Sequence, residues 1–304
     1  MIFILINAIK KVNVLPATKS ILRYPGGKSQ LSGFVKNLLK LNCINHPIYC
    51  EPFCGGAGIA FKLLFDHSVD AIVLNDYDIA IYSIWNAAIF ESEKFISRIK
   101  DTKVDLEEWE RQRQIYKKLK NENKYNFDLG FAAFFLNRTN HSGILKGGPI
   151  GGIHQKSKYR LDCRYNKESL IKKVEDMVAF RNKILLFHMD GLNFIQDVIR
   201  KEDQSNLFIF FDPPYIGQGK ILYKNNLTMD NHKKLAEAIQ NVYGNWITTY
   251  DVDWNIFQQY SAARRFKYKL NYSASIKRNQ YELLFSNPKT KVESYGNVIL
   301  EPFD

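Results

Sequence analysis

Cysteine is scarce in this chain. Cys43, Cys50, Cys54 and Cys163 are the four among 304 residues. So few exclude a disulfide scaffold, and no Cys-x-x-Cys pair or Cys/His cluster has the spacing of a zinc site. A reducing, cytosolic compartment is the expectation. Histidine is also thin, with six scattered residues, and no Ser/His/Asp set for nucleophilic catalysis stands out. A lone histidine such as His188 reads as a packing or surface residue. No apolar run approaches the roughly 20 residues of a membrane span. The first nine residues, Met1 to Ile9, are apolar, but they are too short for an anchor and no basic stretch precedes them, so a packed strand or tail is expected. Internal repeats and low-complexity tracts are absent too.

Acidic residues are the remaining deficit: 31 Asp and Glu face 43 Lys and Arg, a net charge of +12. A hydrophobic content of 45% excludes a disordered chain, so the excess sits on a folded surface and suits a polyanion. Two windows hold nearly all of it. Lys156 to Lys183 has nine basic residues against four acids, and Arg264 to Arg278 has six against none. Both interleave aromatics (Tyr159, Tyr165, Phe180; Phe266, Tyr268, Tyr272), the mixture used for phosphate contact and base stacking. A charge run alone is equally consistent with a solvated face.

What is present alternates strand and helix. His46 to Phe53 is a short apolar strand running into Gly55, Gly56 and Gly58. A helix over Ile59 to Phe65 follows, then a strand at Ala71 to Leu74 closed by Asn75 and Asp76. That order opens a doubly wound α/β sheet. Asn206 to Phe211 is a buried strand leading into Asp212-Pro213-Pro214-Tyr215. Trp246 to Tyr250, Phe266 to Tyr272 and Tyr281 to Ser286 have strand composition, and Asn231 to Val242 is an amphipathic helix. Between them, residues 91–183 break the alternation with a charged helix at Asp105 to Leu119, an aromatic helix at Phe127 to Leu136 and a glycine-rich loop at Gly143 to Gly152. An inserted, mostly helical domain is expected there, with 21–90 and 184–304 forming the sheet domain and 1–20 a tail.

Asp212-Pro213-Pro214-Tyr215 carries the clearest chemistry. Asp212 offers a carboxylate acceptor, and Pro213 offers a stiffly held carbonyl with no N–H beside it. Tyr215 adds a flat stacking face. Two acceptors and an aromatic platform suit a planar ring bearing an exocyclic amine. The turn from Glu51 to Gly58 lets backbone approach a cofactor, although reading Gly-x-Gly-x-x-Gly from Gly56 puts Phe61 in the last position, so it is not a dinucleotide fingerprint. Arg23 to Ser29 ends like a P-loop, but Leu22 stands where the first glycine belongs.

RYPGGK (Arg23 to Lys28), EPFCGGAG (Glu51 to Gly58), LND (Leu74 to Asp76) and DPPY (Asp212 to Tyr215), in that order, resemble the S-adenosylmethionine-dependent DNA adenine-N6 methyltransferases of the Dam type, the alpha group of the D12 class. The resemblance runs from about residue 20 nearly to the end, with Tyr281 to Asn287 similar to the family's last strand. It implies a Rossmann-like methyltransferase sheet with 91–183 as the target-recognition domain. It also implies S-adenosylmethionine as cofactor, no metal, and double-stranded DNA as partner in the cytoplasm, with no membrane association. Whether a cognate restriction endonuclease accompanies the enzyme stays open.

Carried over by position, Tyr24, Lys28, Glu51, Phe53, Gly55, Asp76, Asp190 and Asp212 would bind the cofactor, and Asp212, Pro213 and Tyr215 would act on the target amine. Asn137, Arg138, Asn140, Arg164 and Asn166 resemble the specificity segment. The Gly/Lys-rich stretch between Gly143 and Arg164 is longer than in short relatives, so no recognition sequence is carried over. Three other readings stand beside this one: an N4-cytosine methyltransferase, an RNA amino methyltransferase, and a non-catalytic DNA-binding protein on a decayed methylase fold.

Overall fold

The computed structural model describes residues 19–23, 28–214, 228–271 and 279–303. The Met1 to Ile9 tail, Tyr24, Tyr215 and Tyr272 lie outside the described residues.

In chain order the elements are α1 (Ser32–Leu41), β1 (Ile48–Glu51), α2 (Gly58–Phe65), β2 (Ala71–Asn75), α3 (Ile79–Phe90), α4 (Ser92–Asp101), α5 (Leu106–Leu119), α6 (Phe127–Thr139) and α7 (Lys167–Val178). There follow β3 (Ile184–Phe187), α8 (Gly191–Asp197), β4 (Leu207–Phe211), α9 (Met229–Gln240), β5 (Asn245–Asp251), α10 (Trp254–Gln259), β6 (Arg264–Asn271), β7 (Asn279–Ser286) and β8 (Leu300–Pro302). The strands form one sheet in the order β3-β2-β1-β4-β5-β7-β6-β8. Neighbours from β3 to β5 pair in parallel, and β7, β6 and β8 add antiparallel pairs. The chain therefore winds outward from β1 to β3, then returns to start β4 on the other side of β1. The crevice at the carboxyl ends of β1 and β4 is the switch point where open α/β sheets hold ligands.

Both faces of the sheet are covered, which is why its central strands read as continuous apolar runs. Phe208 and Phe210 of β4 face the layer containing α1, α2 and α3, while Leu207, Ile209 and Phe211 face α8, α9 and α10. The helices of 91–183 share the first core: Phe95 packs on Phe127, Phe131 and Phe134, and Tyr165 packs on Phe134 and Phe135. α6 crosses α3 so closely that a Cβ on Gly130 would stand 2.3 Å from the Ser83 carbonyl oxygen.

Beyond the strand over Tyr281 to Ser286 lies one that the sequence reading did not include: β8 pairs antiparallel with β6. Three residues, Leu-Glu-Pro, are too few to show a period, and a proline is tolerated only because this strand lies at the sheet edge.

Candidate active site and nucleic-acid surface

The glycine turn after β1 is built by local strain and cross-links. Gly55 and Ala57 both take left-handed backbone, with φ of 44° and 46°. The Gly55 N–H donates to Asp76 Oδ2 at 2.8 Å, and its carbonyl accepts from the Trp85 indole at 2.9 Å. Asn75, fully buried, ties three strand ends together: its amide donates to the Pro52 and Met189 carbonyls, and its oxygen accepts from Met189 N–H. The Phe53 ring lies against Gly191, where a Cβ would meet it at 2.5 Å. Glu51, Phe53, Gly55, Asp76 and Asp190 thus gather at the carboxyl ends of β1, β2 and β3. Asp190 spends Oδ1 on the α8 cap, accepting from Leu192 and Asn193 N–H.

Asp212 follows β4 at the other lip of the crevice, with Pro213 buried beside it. Thr249 of β5 donates its hydroxyl to Asp212 Oδ1 at 2.9 Å. Lys28 does not lie free toward a ligand: its ammonium is 2.5 Å from Glu282 Oε2, both side chains almost fully buried, and the Tyr268 hydroxyl donates to the same oxygen at 2.6 Å. Sequence reasoning missed Thr249 and Glu282, and it counted Tyr268 among aromatics suited to base stacking, whereas Tyr268 is fully buried. The available signal was a single acid inside the apolar run of β7, since a buried carboxylate demands a partner.

Carboxylates dominate this crevice. Burial raises Glu51 to about 8, against hydrogen bonds from the Tyr49 hydroxyl and Ala60 N–H that lower it, while the nearby Asp212 charge adds to the rise. Burial likewise raises Asp76 to about 7, helped by the charge of Asp78. Asp251 and Glu282 are also raised by burial, with Lys28 opposing in both cases. Such a set favours a cationic ligand, which would hold the acids in their ionised form.

The specificity segment divides in two. Asn137 and Asn140 do not reach the surface expected of DNA-reading residues. Asn137 accepts from Arg23 N–H at 2.8 Å and donates to the carbonyls of Arg23 and Gly143. Asn140 accepts from the Trp109 indole at 2.7 Å and donates to the carbonyls of Ile144 and Leu145. Both are buried, because loop carbonyls turned inward here need donors. Asn166 caps α7, accepting from Ser169 N–H. Arg138 and Arg164 are drawn together, Arg138 donating to the Arg164 carbonyl through Nε and Nη2. Among the described residues, no group of three His, Cys, Asp or Glu is arranged to hold a metal ion.

Residues 24–273 match the model of the D12 class N6 adenine-specific DNA methyltransferases, and the chain belongs to that family. The chain is 27% identical over 209 residues to the Type II methyltransferase M.MjaIII of Methanocaldococcus jannaschii, covering 65% of this chain and 69% of that one. It is 25% identical over 217 residues to the Type II methyltransferase M1.LlaDCHI of Lactococcus lactis subsp. cremoris, covering 68% and 67%. A solved structure, protein LPL1258 of Legionella pneumophila, overlaps 87% of this chain and 86% of its own at 14% identity and a TM-score of 0.33. The protein is accordingly an enzyme, a site-specific DNA adenine methyltransferase on a Rossmann-like sheet.

Proposed function

We propose that the chain transfers the methyl group of S-adenosylmethionine to the N6 amine of an adenine flipped out of double-stranded DNA. The observation that carries this is Asp212 at the carboxyl end of β4, aimed by Thr249 and followed by the stiff Pro213. When bound, the cofactor supplies an activated methyl on a sulfonium. The residues fit it: the carboxylates of Glu51 and Asp76 would hold a ligand carrying a cationic sulfonium and ammonium, and the turn from Glu51 to Gly58 with Phe53 and Gly55 would offer it close backbone approach. Tyr24 and Lys28 belong to the first motif, Lys28 acting through its pair with Glu282. Asp190 keeps Oδ2 for an exocyclic amine while Oδ1 caps α8.

Adenine N6 is a poor nucleophile because its lone pair is delocalised into the ring. Asp212 and the Pro213 carbonyl, accepting its two hydrogens, favour a pyramidal nitrogen with the lone pair free for attack. The amine is unreachable inside a duplex, so the base leaves the stack at a cost of a few kcal/mol and stacks on Tyr215. Residues 91–183 act as the target-recognition domain, with 21–90 and 184–304 as the catalytic domain. The chain works on DNA in the cytoplasm, associated with the nucleoid; among its described residues no helix is long and apolar enough to cross a membrane. Both relatives are named Type II methyltransferases, and on that ground we pair this enzyme with an endonuclease of the same target.

The test is transfer of isotopically labelled methyl from S-adenosylmethionine to unmethylated genomic DNA, followed by mass spectrometry of the nucleosides. N6-methyladenine is the expected product. N4-methylcytosine would overturn the base assignment, and cofactor binding without label in DNA would overturn the substrate.

A further inference from the structure

Four cations from four parts of the chain meet where the segment before the first motif crosses the helical insert. Arg138 at the end of α6 donates to the carbonyls of Arg164 and, at 3.4 Å, Ile21. Arg23 donates from Nη1 to the Asn140 carbonyl at 2.9 Å. Lys173 on α7 donates to the Ser20 carbonyl at 3.0 Å. Arg164 contributes an exposed side chain at the same place. Among the described residues none of the four is ion-paired with a carboxylate. Asp176, three residues beyond Lys173 on α7, is engaged with Lys172 at 3.0 Å.

Like charges gathered without a counter-ion oppose one another, and the fold holds them in place with neutral carbonyls. We propose that Arg23, Arg138, Arg164 and Lys173 form a receptor for a single phosphate of the DNA backbone. This rests on DNA being the substrate, and it assigns the segment's arginines to positioning rather than to base reading.

The geometry favours phosphate over a base edge. A guanidinium that reads guanine needs its two-pronged edge free. In Arg138 that edge is already spent on the Arg164 carbonyl. What remains on offer is charge and outlying N–H groups, which suit the tetrahedral oxygens of a phosphate. The electrostatics agree. Burial lowers Lys173 to about 8, with Arg138 and Lys19 adding to the fall, and lowers Arg138 to about 10, with Arg23 and Arg164 adding. Burial and Arg164 also lower Arg23. Each is a cation kept short of an anion.

The surroundings are built to hold Arg23 there. Asn137 clamps both its N–H and its carbonyl, and Gly143, at φ 78°, passes so close that a Cβ would stand 2.2 Å from the Arg23 oxygen. Lys28, five residues on, is fixed to Glu282 beside the catalytic crevice. Five residues span at most about 18 Å, so the backbone of Arg23 lies within that reach of the backbone of Lys28.

The test measures duplex affinity against KCl concentration for wild type, Arg164→Gln and Lys173→Gln, on a cognate duplex and on one of random sequence. Expected is weaker binding in each variant, by the same factor on both duplexes; three cations still hold the phosphate, so the log–log slope becomes shallower by at most about 0.9, the value for one phosphate lost outright. Arg164 is exposed, so that variant carries the test should Lys173→Gln fail to fold. Duplex affinity equal to wild type at every KCl concentration overturns the proposal, as does a change confined to the cognate duplex, which would mean base reading. Cofactor affinity, titrated in parallel, separates the remaining anion: a weakened cofactor with unchanged duplex affinity would assign the receptor to the cofactor carboxylate and overturn the phosphate. Wild type without salt-dependent duplex binding would overturn the DNA reading itself.

Discussion

The Lys28 ammonium and the Glu282 carboxylate stand 2.5 Å apart inside the fold, 3% and 0% exposed, although 254 positions separate them in the chain. The pair fastens the segment leading out of the first motif to β7, and the Tyr268 hydroxyl completes the shell of Glu282. Removing one member strands a buried charge, which costs about 3–5 kcal/mol. Lys28→Met is therefore expected to lose that much in urea unfolding. Lys28→Met combined with Glu282→Gln keeps an acceptor for Tyr268 and recovers most of it. A single variant as stable as wild type would show that the pair holds nothing.

Thr249 reaches Asp212 from the neighbouring strand β5 and fixes its Oδ1. Asp212→Asn keeps the size of the side chain but replaces an acceptor with a donor, and a drop in kcat of about 100-fold or more is expected from loss of one aimed electrostatic contact. Thr249→Val removes only the aim. Its expected loss is about tenfold in kcat with the KM for DNA unchanged, the size of one hydrogen bond to a charged group. A rise in KM with kcat intact would place Thr249 in binding instead.

Glu51 and Asp76 are acids raised by burial to about 8 and about 7. Between their ordinary range near pH 4 and these values the folded chain binds more protons than the unfolded one, so stability falls as pH rises through that window. Above about pH 8 the loss is complete; below about pH 4 it is absent. Glu51→Gln has no proton to lose at this position. The difference in unfolding free energy between variant and wild type is expected to move in the variant's favour from pH 5 to pH 8. A difference constant across that range would show Glu51 titrating as an ordinary carboxylate.

How much of this was legible in the sequence follows from what each residue faces. β1, β2 and β4 are covered on both sides, so their apolar runs and the glycine turn between them marked a parallel α/β sheet, and the order of the motifs located its crevice. The helices of the insert announced themselves through the charged run from Asp105 to Leu119 and the aromatic run from Phe127 to Leu136; the structure caps them with Asp105 and Asn126, each accepting from the N–H three residues on. The pairing of Lys28 with Glu282 left no such trace, because spacing along a chain says nothing about which buried charge will meet which. The same holds for Asn137 and Asn140. A run of polar residues beside arginines resembles a surface whether its amides face solvent or loop carbonyls.

Asn137 supplies the test of that last distinction. Its side chain makes three hydrogen bonds, two to the backbone of Arg23 and one to Gly143, at 2.8 to 2.9 Å. Truncation leaves an N–H and two carbonyls without partners in a buried place, at roughly 1–3 kcal/mol for each unsatisfied group that water does not reach. Asn137→Ala is therefore expected to lower unfolding free energy by about 2–4 kcal/mol, and to weaken cognate and random duplexes by the same factor as Arg23 loses its anchor. A residue that read bases would behave in the opposite way, sparing stability and cutting cognate affinity alone. Chemical denaturation and paired binding titrations on one preparation separate the two, because only a clamp on Arg23 moves both measurements together.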